Sequence, residues 1–368
     1  MQPPTHAPDL LRAVGDLWMR IDGLSRIERL RRGIHVHSTH PRPALGQTPY
    51  QVVHVHDKLQ LKHYPASVSS PAEGSEPVDM RPRPPVVLVP SLINRATILD
   101  LEPERSLVRG LSEKGHPVYL VDWGTPGPED AQEDVGYVLE SLLHRSIDRA
   151  CRHAGHSQAL LFGYCMGGTL AAMYTALHPD RVAGLSLLNA PFHFEKAGRF
   201  RDFVAHVDVD KAIAKDGLLP VSMMKPAFQL LDPVGAITKF FNIEKASRDP
   251  KRLRRTLARE RWLEENLPLP GAFAQEFISK AYQQDLLFNG GWFIGQREIR
   301  LQDITCPVLV CSAERDFIAP AESAEALADL VPHARVERLD AGHIGVIVGA
   351  FGPRHFYPML DTWMREVA

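Results

Sequence analysis

The chain has 368 residues, of which 44% are hydrophobic and 23% charged, with a formal net charge of −2. That length holds one large α/β domain with an insertion or two modest domains, and the composition is that of an ordinary globular protein. With no global basic field, nucleic acid is not an expected partner. No run of about 18 uncharged apolar residues exists, so no membrane span is expected. Asp9, Arg12, Asp16 and Arg20 interrupt the N-terminus, so no signal-peptide core is expected either. The four cysteines, Cys151, Cys165, Cys306 and Cys311, show no metal-binding spacing, and no metal is expected.

Residues 9–32 repeat apolar side chains at helical spacing (Leu10, Val14, Leu17, Trp18, Ile21, Leu24, Ile27, Leu30), with arginines crowding the far end. Such a helix can bind a partner or a lipid-like surface, but burying its stripe on its own domain is the favoured reading. Tyr50–Val55 and Leu59–Tyr64 alternate around Asp57-Lys58 and predict a hairpin. Residues 65–85, rich in Pro, Ser and Glu, predict a loop. An alternation then begins: strand Val86–Val89, helix Glu104–Lys114, strand Val118–Asp122, helix Val135–His153, strands Ala159–Tyr164 and Val182–Leu188. It predicts a mostly parallel, doubly wound sheet. From Phe192 to Glu298 the pattern is helical and loop-like, with aromatics throughout. Strand Pro307–Ser312, helix Ala321–Leu330, strand Ala334–Leu339 and a last helix ending near Val367 resume the alternation. The expected division is 1–49 as helix and linker, 50–191 as first part of the core, 192–298 as a helical lid, and 299–368 as the rest of the core.

The stretch Ala159–Leu177 carries the chemistry. A short apolar run ends in Gly163-Tyr164-Cys165-Met166-Gly167-Gly168, a helical pattern follows, and His178-Pro179 stops it. Strand, glycine-flanked turn and helix form a nucleophile elbow of the α/β-hydrolase type, with cysteine at the nucleophile position. Glycines two before and two after the nucleophile let strand and helix approach closely. At the start of a helix, Cys165 faces unpaired N–H groups and the positive end of a dipole, which favours thiolate. A free-thiol nucleophile suits a reducing compartment, so cytoplasm is the expected location.

A nucleophile needs a base and the base an orienting acid, in the chain order nucleophile, acid, histidine. Asp316 falls just past the strand ending near Ser312, and His343 in the equivalent loop of the next strand. Asp340, Glu314 and Asp122 are weaker candidates for the acid. The oxyanion hole is expected from the backbone N–H of Met166 and a second N–H at Leu92 or Ile93, in the loop after Val86–Val89. Asn94 and Phe317 are the candidate substrate-binding residues. Acyl transfer from a thioester to a thiol is nearly isoenergetic, so cysteine keeps the acyl group activated for attack by an alcohol. Provided water is excluded, this tilts the reading from hydrolysis toward acyl transfer.

From about Gln47 to its end the chain resembles the catalytic subunit of polyhydroxyalkanoate synthases, and by its length the short class III type. The resemblance rests on INRATILDLEPERSLVRGL at 93–111, VYLVDWG at 118–124, GYCMGGTLAAMYTALHPDRV at 163–182, LFNGGWFIGQREIRLQDITCPVL at 287–309 and AGHIGV at 341–346. It implies polymerisation of (R)-3-hydroxyacyl-CoA into a growing polyester with release of CoA, the thioester being substrate and no cofactor required. It implies that Cys165 holds the growing chain, that His343 deprotonates the thiol, and that Asp316 orients His343 or helps to activate the attacking 3-hydroxyl. A second synthase subunit or a homodimer, and association with polyester granules, are also implied. Two positions depart from the family. Phe317 stands where histidine usually follows the acid, which changes the polarity there, and Met166 stands where glutamine is frequent. The basic stretch Lys251-Arg252-Leu253-Arg254-Arg255, with Arg259 and Arg261, is either a site for CoA phosphates or, the favoured reading, a solvated helix face. The rival readings are an esterase, thioesterase or intracellular polyester depolymerase on the same scaffold, and an inactive granule- or partner-binding homologue.

Overall fold

The computed structural model describes residues 23–67, 83–231 and 234–368. The chain forms two compact units, one comprising the described residues up to Ala44 with Phe228–Arg261, the other Leu45–Ala227 with Trp262–Ala368. The lid expected at 192–298 is thus divided, its central helices clustering with the N-terminal one.

The larger unit is built on an eight-stranded sheet: β1 (Gln51–His56), β2 (Leu59–Tyr64), β3 (Val86–Val89), β4 (Val118–Asp122), β5 (Ala159–Tyr164), β6 (Val182–Leu188), β7 (Val308–Arg315) and β8 (Arg335–Gly342). Their order across the sheet is β1-β2-β4-β3-β5-β6-β7-β8. The first two strands form the expected hairpin, with Asp57 in the left-handed region at its turn, and β2 pairs antiparallel to β4. The remaining pairings are parallel. Every residue of β3 and β5 is buried, as continuous apolar runs in a sheet covered on both faces must be.

Local chemistry shifts several element boundaries. The helix expected over Glu104–Lys114 is a short turn at Pro103–Arg105 followed by Leu107–Ser112, because Ser106 caps its start by accepting from the Arg109 N–H. The segment expected over Val135–His153 opens with a π turn, Tyr137–Leu143, before the α-helix His144–Ala154. Both C-terminal strands run further than predicted, to Arg315 and Gly342, so Asp316 and His343 directly follow strand ends. The expected helix Ala321–Leu330 is broken into Ala321–Glu325 and Leu327–Leu330. Phe194, Phe273, Phe277 and Trp292 of the insertion are buried, whereas Phe203 and Phe293 are exposed.

In the smaller unit, helix Gly23–Thr39 runs seven residues past the predicted end, while residues 9–22 of that prediction lie outside the described residues. Its buried face also differs from the apolar stripe. Ile27 is 52% exposed, whereas Arg26 is buried. Two partners set this rotation. Arg29 Nε donates to Glu244 Oε2 at 3.0 Å, and a Cβ on Gly33 would fall 2.0 Å from the Phe240 carbonyl oxygen. The absence of a side chain at Gly33 lets the helix lie against Gly235–Ala246, over a small core of Ile243, Ala246, Leu253 and Leu257.

Candidate active site

Cys165 sits between β5 and helix Met166–Leu177 with φ 55° and ψ −132°, a conformation costly for a residue with a side chain. Its surroundings over-determine it. The Cys165 N–H donates to Leu188 O at 2.9 Å, and its carbonyl accepts from Gly168 N at 2.8 Å and Thr169 N at 3.3 Å. A Cβ on Gly163 would meet Gly168 Cα at 2.3 Å, and one on Gly167 would lie 2.3 Å from Val89 O and 2.4 Å from Pro90 O. Only glycine fits where β5, the helix and the β3 loop converge.

Asp316 and His343 meet across the ends of β7 and β8. His343 Nδ1 donates to Asp316 Oδ2 at 2.6 Å, with the two side chains 11% and 0% exposed. Asp316 Oδ1 accepts from the N–H groups of Ile318 (2.8 Å) and Ala319 (2.9 Å), which fixes the carboxylate in place. Cys165 lies near enough to the imidazole to act on its charge. Burial acts to lower the His343 pKa, but the Asp316 carboxylate and Cys165 outweigh it and raise the group to about 10. Such a pairing holds a proton on the imidazole and suits transfer to and from sulfur. Of the rival acids, Asp122 is bound to Lys62 at 2.5 Å and Asp340 to Arg315.

The other three thiols lack these conditions. Cys151, Cys306 and Cys311 are buried, and burial pushes all three above the ordinary thiol value, Cys306 to about 11.

The β3 loop passes beside the elbow. Trp123 Nε1 donates to Pro90 O at 2.9 Å, and the following Leu92 and Ile93 are buried. Ile93 O accepts from Leu267 N at 2.9 Å, and Asn94 forms a backbone bridge with Asn266, tying the loop to the later half of the insertion. From the insertion, Tyr282 packs against Phe194 and Phe200 with centroids at 4.7 and 5.4 Å. Burial raises its phenol above the ordinary value, and Cys165 adds to the effect. Phe317, beside the acid, is 56% exposed. Within the smaller unit the basic stretch is engaged locally: Arg259 pairs with Glu260 at 2.7 Å and Arg261 donates to Pro43 O at 2.6 Å.

Two residues not singled out by sequence complete the centre. Asn189, fully buried with φ 49°, accepts from Ala313 N at 2.9 Å and donates from Nδ2 to His343 O at 3.0 Å. The Tyr164 hydroxyl donates to the same carbonyl at 3.2 Å. Together they clamp the backbone that carries the imidazole. The signals were faint: an asparagine at a strand end, where a left-handed residue is tolerated, and an aromatic neighbour of the nucleophile.

A cavity of about 370 Å³ opens elsewhere, at the N-terminal ends of the strands, lined by residues such as Pro84, Gln158, Val182 and Cys306. It faces away from the end of the sheet that bears the chemistry.

The sequence model of the α/β hydrolase fold matches residues 84–350. Poly(3-hydroxyalkanoate) polymerase subunit PhaC of Allochromatium vinosum is 31% identical over 325 residues, covering 87% of this chain and 89% of that protein. The proteins of the same name from Synechocystis sp. and Haloferax mediterranei are 30% and 29% identical, covering 88% and 100% of this chain and 85% and 73% of theirs. Among solved structures, a hydrolase from Pseudomonas aeruginosa superposes with a TM-score of 0.52 at 17% identity, covering 87% of this chain and 99% of that one.

Proposed function

Because the chain belongs to the α/β-hydrolase fold family and, within it, to the poly(3-hydroxyalkanoate) polymerase subunit PhaC family, we propose that it polymerises (R)-3-hydroxyacyl-CoA into polyester. The observation that carries the reading is a cysteine in a strained elbow, close to a buried imidazole that a carboxylate holds at 2.6 Å. His343 holds the proton given up by Cys165 while the sulfur attacks the thioester carbonyl. The oxyanion is held by the N–H of Met166 and that of Leu92 or Ile93. Collapse expels CoA, whose sulfur recovers the proton from His343. The 3-hydroxyl of an incoming hydroxyacyl unit then gives its proton to the imidazole and attacks the Cys165-bound carbonyl. An oxygen ester forms and the thiol is regenerated.

The aromatic part of the 192–298 insertion, including Phe194, Phe277 and Tyr282, keeps water from the thioester. Phe317 and Asn94 contact the acyl chain. The word "subunit" in the relatives' names supports a partner subunit or a homodimer, and the chain's length is what favours the short class III type. Action in the cytoplasm at the polyester granule surface accords with the chemistry, and no helix among the described residues is long and apolar enough to cross a membrane.

Incubation with (R)-3-hydroxybutyryl-CoA tests the reading. Release of CoA thiol with insoluble polyester is expected. Free 3-hydroxybutyrate equal in amount to the CoA released identifies a hydrolase instead.

A further inference from the structure

Away from the catalytic centre, three metal-ligating side chains converge. Glu140 and His144 stand one helical turn apart on the segment 137–154, and His178 follows the last residue of the nucleophile helix. One ligand atom from each lies within 4.8 Å of the other two. His178 Nε2 is 2.9 Å from Glu140 Oε2, and the two imidazole centroids are 4.8 Å apart. At about 1.5 Å of helix per residue, His178 is about 18 Å from the end that bears Cys165.

The neighbours of this cluster orient it. The Tyr174 hydroxyl lies 3.1 Å from His144 Nδ1, which holds that ring and leaves Nε2 as its ligand atom. The Tyr174 ring also stacks on His178 with centroids 4.7 Å apart. Arg297 Nη1 stands 3.9 Å from Glu140 Oε1, giving one carboxylate oxygen a cationic neighbour and leaving the other for an ion.

We propose that Glu140, His144 and His178 bind a divalent transition-metal ion, zinc being the best match. Two imidazole nitrogens and one carboxylate oxygen, with water in the fourth position, form a tetrahedral donor set that calcium and magnesium do not favour. Ligand distances of about 2.0–2.1 Å put tetrahedral donors about 3.3 Å apart, so side-chain adjustments of about an ångström close the site. The ion takes the place of the direct hydrogen bond between His178 and Glu140. It joins the segment 137–154 to the C-terminal end of the nucleophile helix, a structural role at a distance from the reacting sulfur.

The test uses the full chain carrying Cys165→Ala, which removes the half-buried thiol as a competing ligand. Zinc is titrated by calorimetry, and cobalt is used as a visible-absorbing substitute. One equivalent binding with tetrahedral cobalt bands is expected. His144→Ala and His178→Ala should each weaken binding by about 100-fold or more, and Tyr174→Phe, which keeps all three ligands, by about 10-fold. Absence of a saturable equivalent overturns the proposal. Should either histidine variant lose its fold by circular dichroism, Tyr174→Phe and Glu140→Gln decide, and parental affinity in both overturns it.

Discussion

Asp316→Asn isolates the step on which the proposed chemistry turns, because the structure dictates how the amide must sit. Asp316 Oδ1 accepts from two backbone N–H groups, of Ile318 at 2.8 Å and Ala319 at 2.9 Å. An amide oxygen can keep that place and an NH₂ group cannot, so the amide nitrogen takes the Oδ2 position against His343 Nδ1. The donor to Nδ1 then forces the neutral ring to carry its proton on Nε2, facing sulfur, where it has no lone pair to accept the thiol proton. The charge that opposes burial is lost too, so the imidazole becomes harder to protonate. In a serine protease of a different fold, whose triad makes the same side-chain contacts, this wrong tautomer costs about 10,000-fold in kcat. A fall of about 1,000- to 10,000-fold is expected here, about 4 to 5.5 kcal/mol of barrier. CoA release from (R)-3-hydroxybutyryl-CoA at saturating substrate measures it, with a melting curve to establish that the variant folds. A folded Asp316→Asn protein within tenfold of the parent would refute the assignment of the acid.

Iodoacetamide at neutral pH should label Cys165 first, because a thiol raised to about 11, as in Cys306, is ionised in only about one molecule in ten thousand at pH 7; equal labelling of Cys165 and Cys306 by mass spectrometry contradicts this. Asn189→Asp keeps the acceptor for Ala313 N but replaces the donor to His343 O with a buried carboxylate, so a roughly 10- to 100-fold loss of kcat with little change in KM is expected; a change confined to KM counts against the positioning role. Gly167→Ala drives a methyl group to 2.3 Å from Val89 O and should cost several kcal/mol, on the order of the overpacking penalty or more; an unchanged melting temperature would count against that crowding. His343 is raised from 6.5 to about 10 on folding, so the stability its protonated form supplies is fully present below pH 6.5 and is lost as pH rises toward 10. Melting curves between pH 7 and 10 should fall in the parent and much less in Asp316→Asn, and parallel slopes in the two would refute the linkage.

The sheet was legible because its central strands are continuous apolar runs. Val86–Val89 and Ala159–Tyr164 are buried at every position, so no competing helical period obscured them. The Gly-x-Cys-x-Gly elbow was legible for a steric reason: the close approach at Gly163 and Gly167 leaves a local mark in the sequence. Over its described residues the N-terminal helix is rotated away from part of its apolar stripe. Its apolar spacing pointed to Ile27, yet the helix turns Arg26 and Gly33 inward. The forces that rotate it, the Arg29–Glu244 pair and the contact of Gly33 with Phe240, join residues about 200 positions apart. Nor does side-chain periodicity announce a π turn, so Tyr137–Leu143 and Ile278–Gln283 were invisible.

A similar asymmetry runs through the catalytic centre. Cys165, Asp316 and His343 are specified by their side chains, and each follows the end of a parallel strand, where such a sheet gathers its chemistry. The clamp on His343 works through a carbonyl oxygen, which any residue would supply, so nothing at position 343 betrays it. Its donors lie 154 and 179 residues away. Asn189 can reach β7 and the histidine loop at once because its own backbone adopts φ 49°, a conformation asparagine tolerates better than most residues. The imidazole is thereby held by its ring through Asp316 and by its backbone through Asn189 and Tyr164. A proton shuttle between two sulfurs and an alcohol needs a ring that stays put while its partners change, and restraint at both ends of one side chain meets that need.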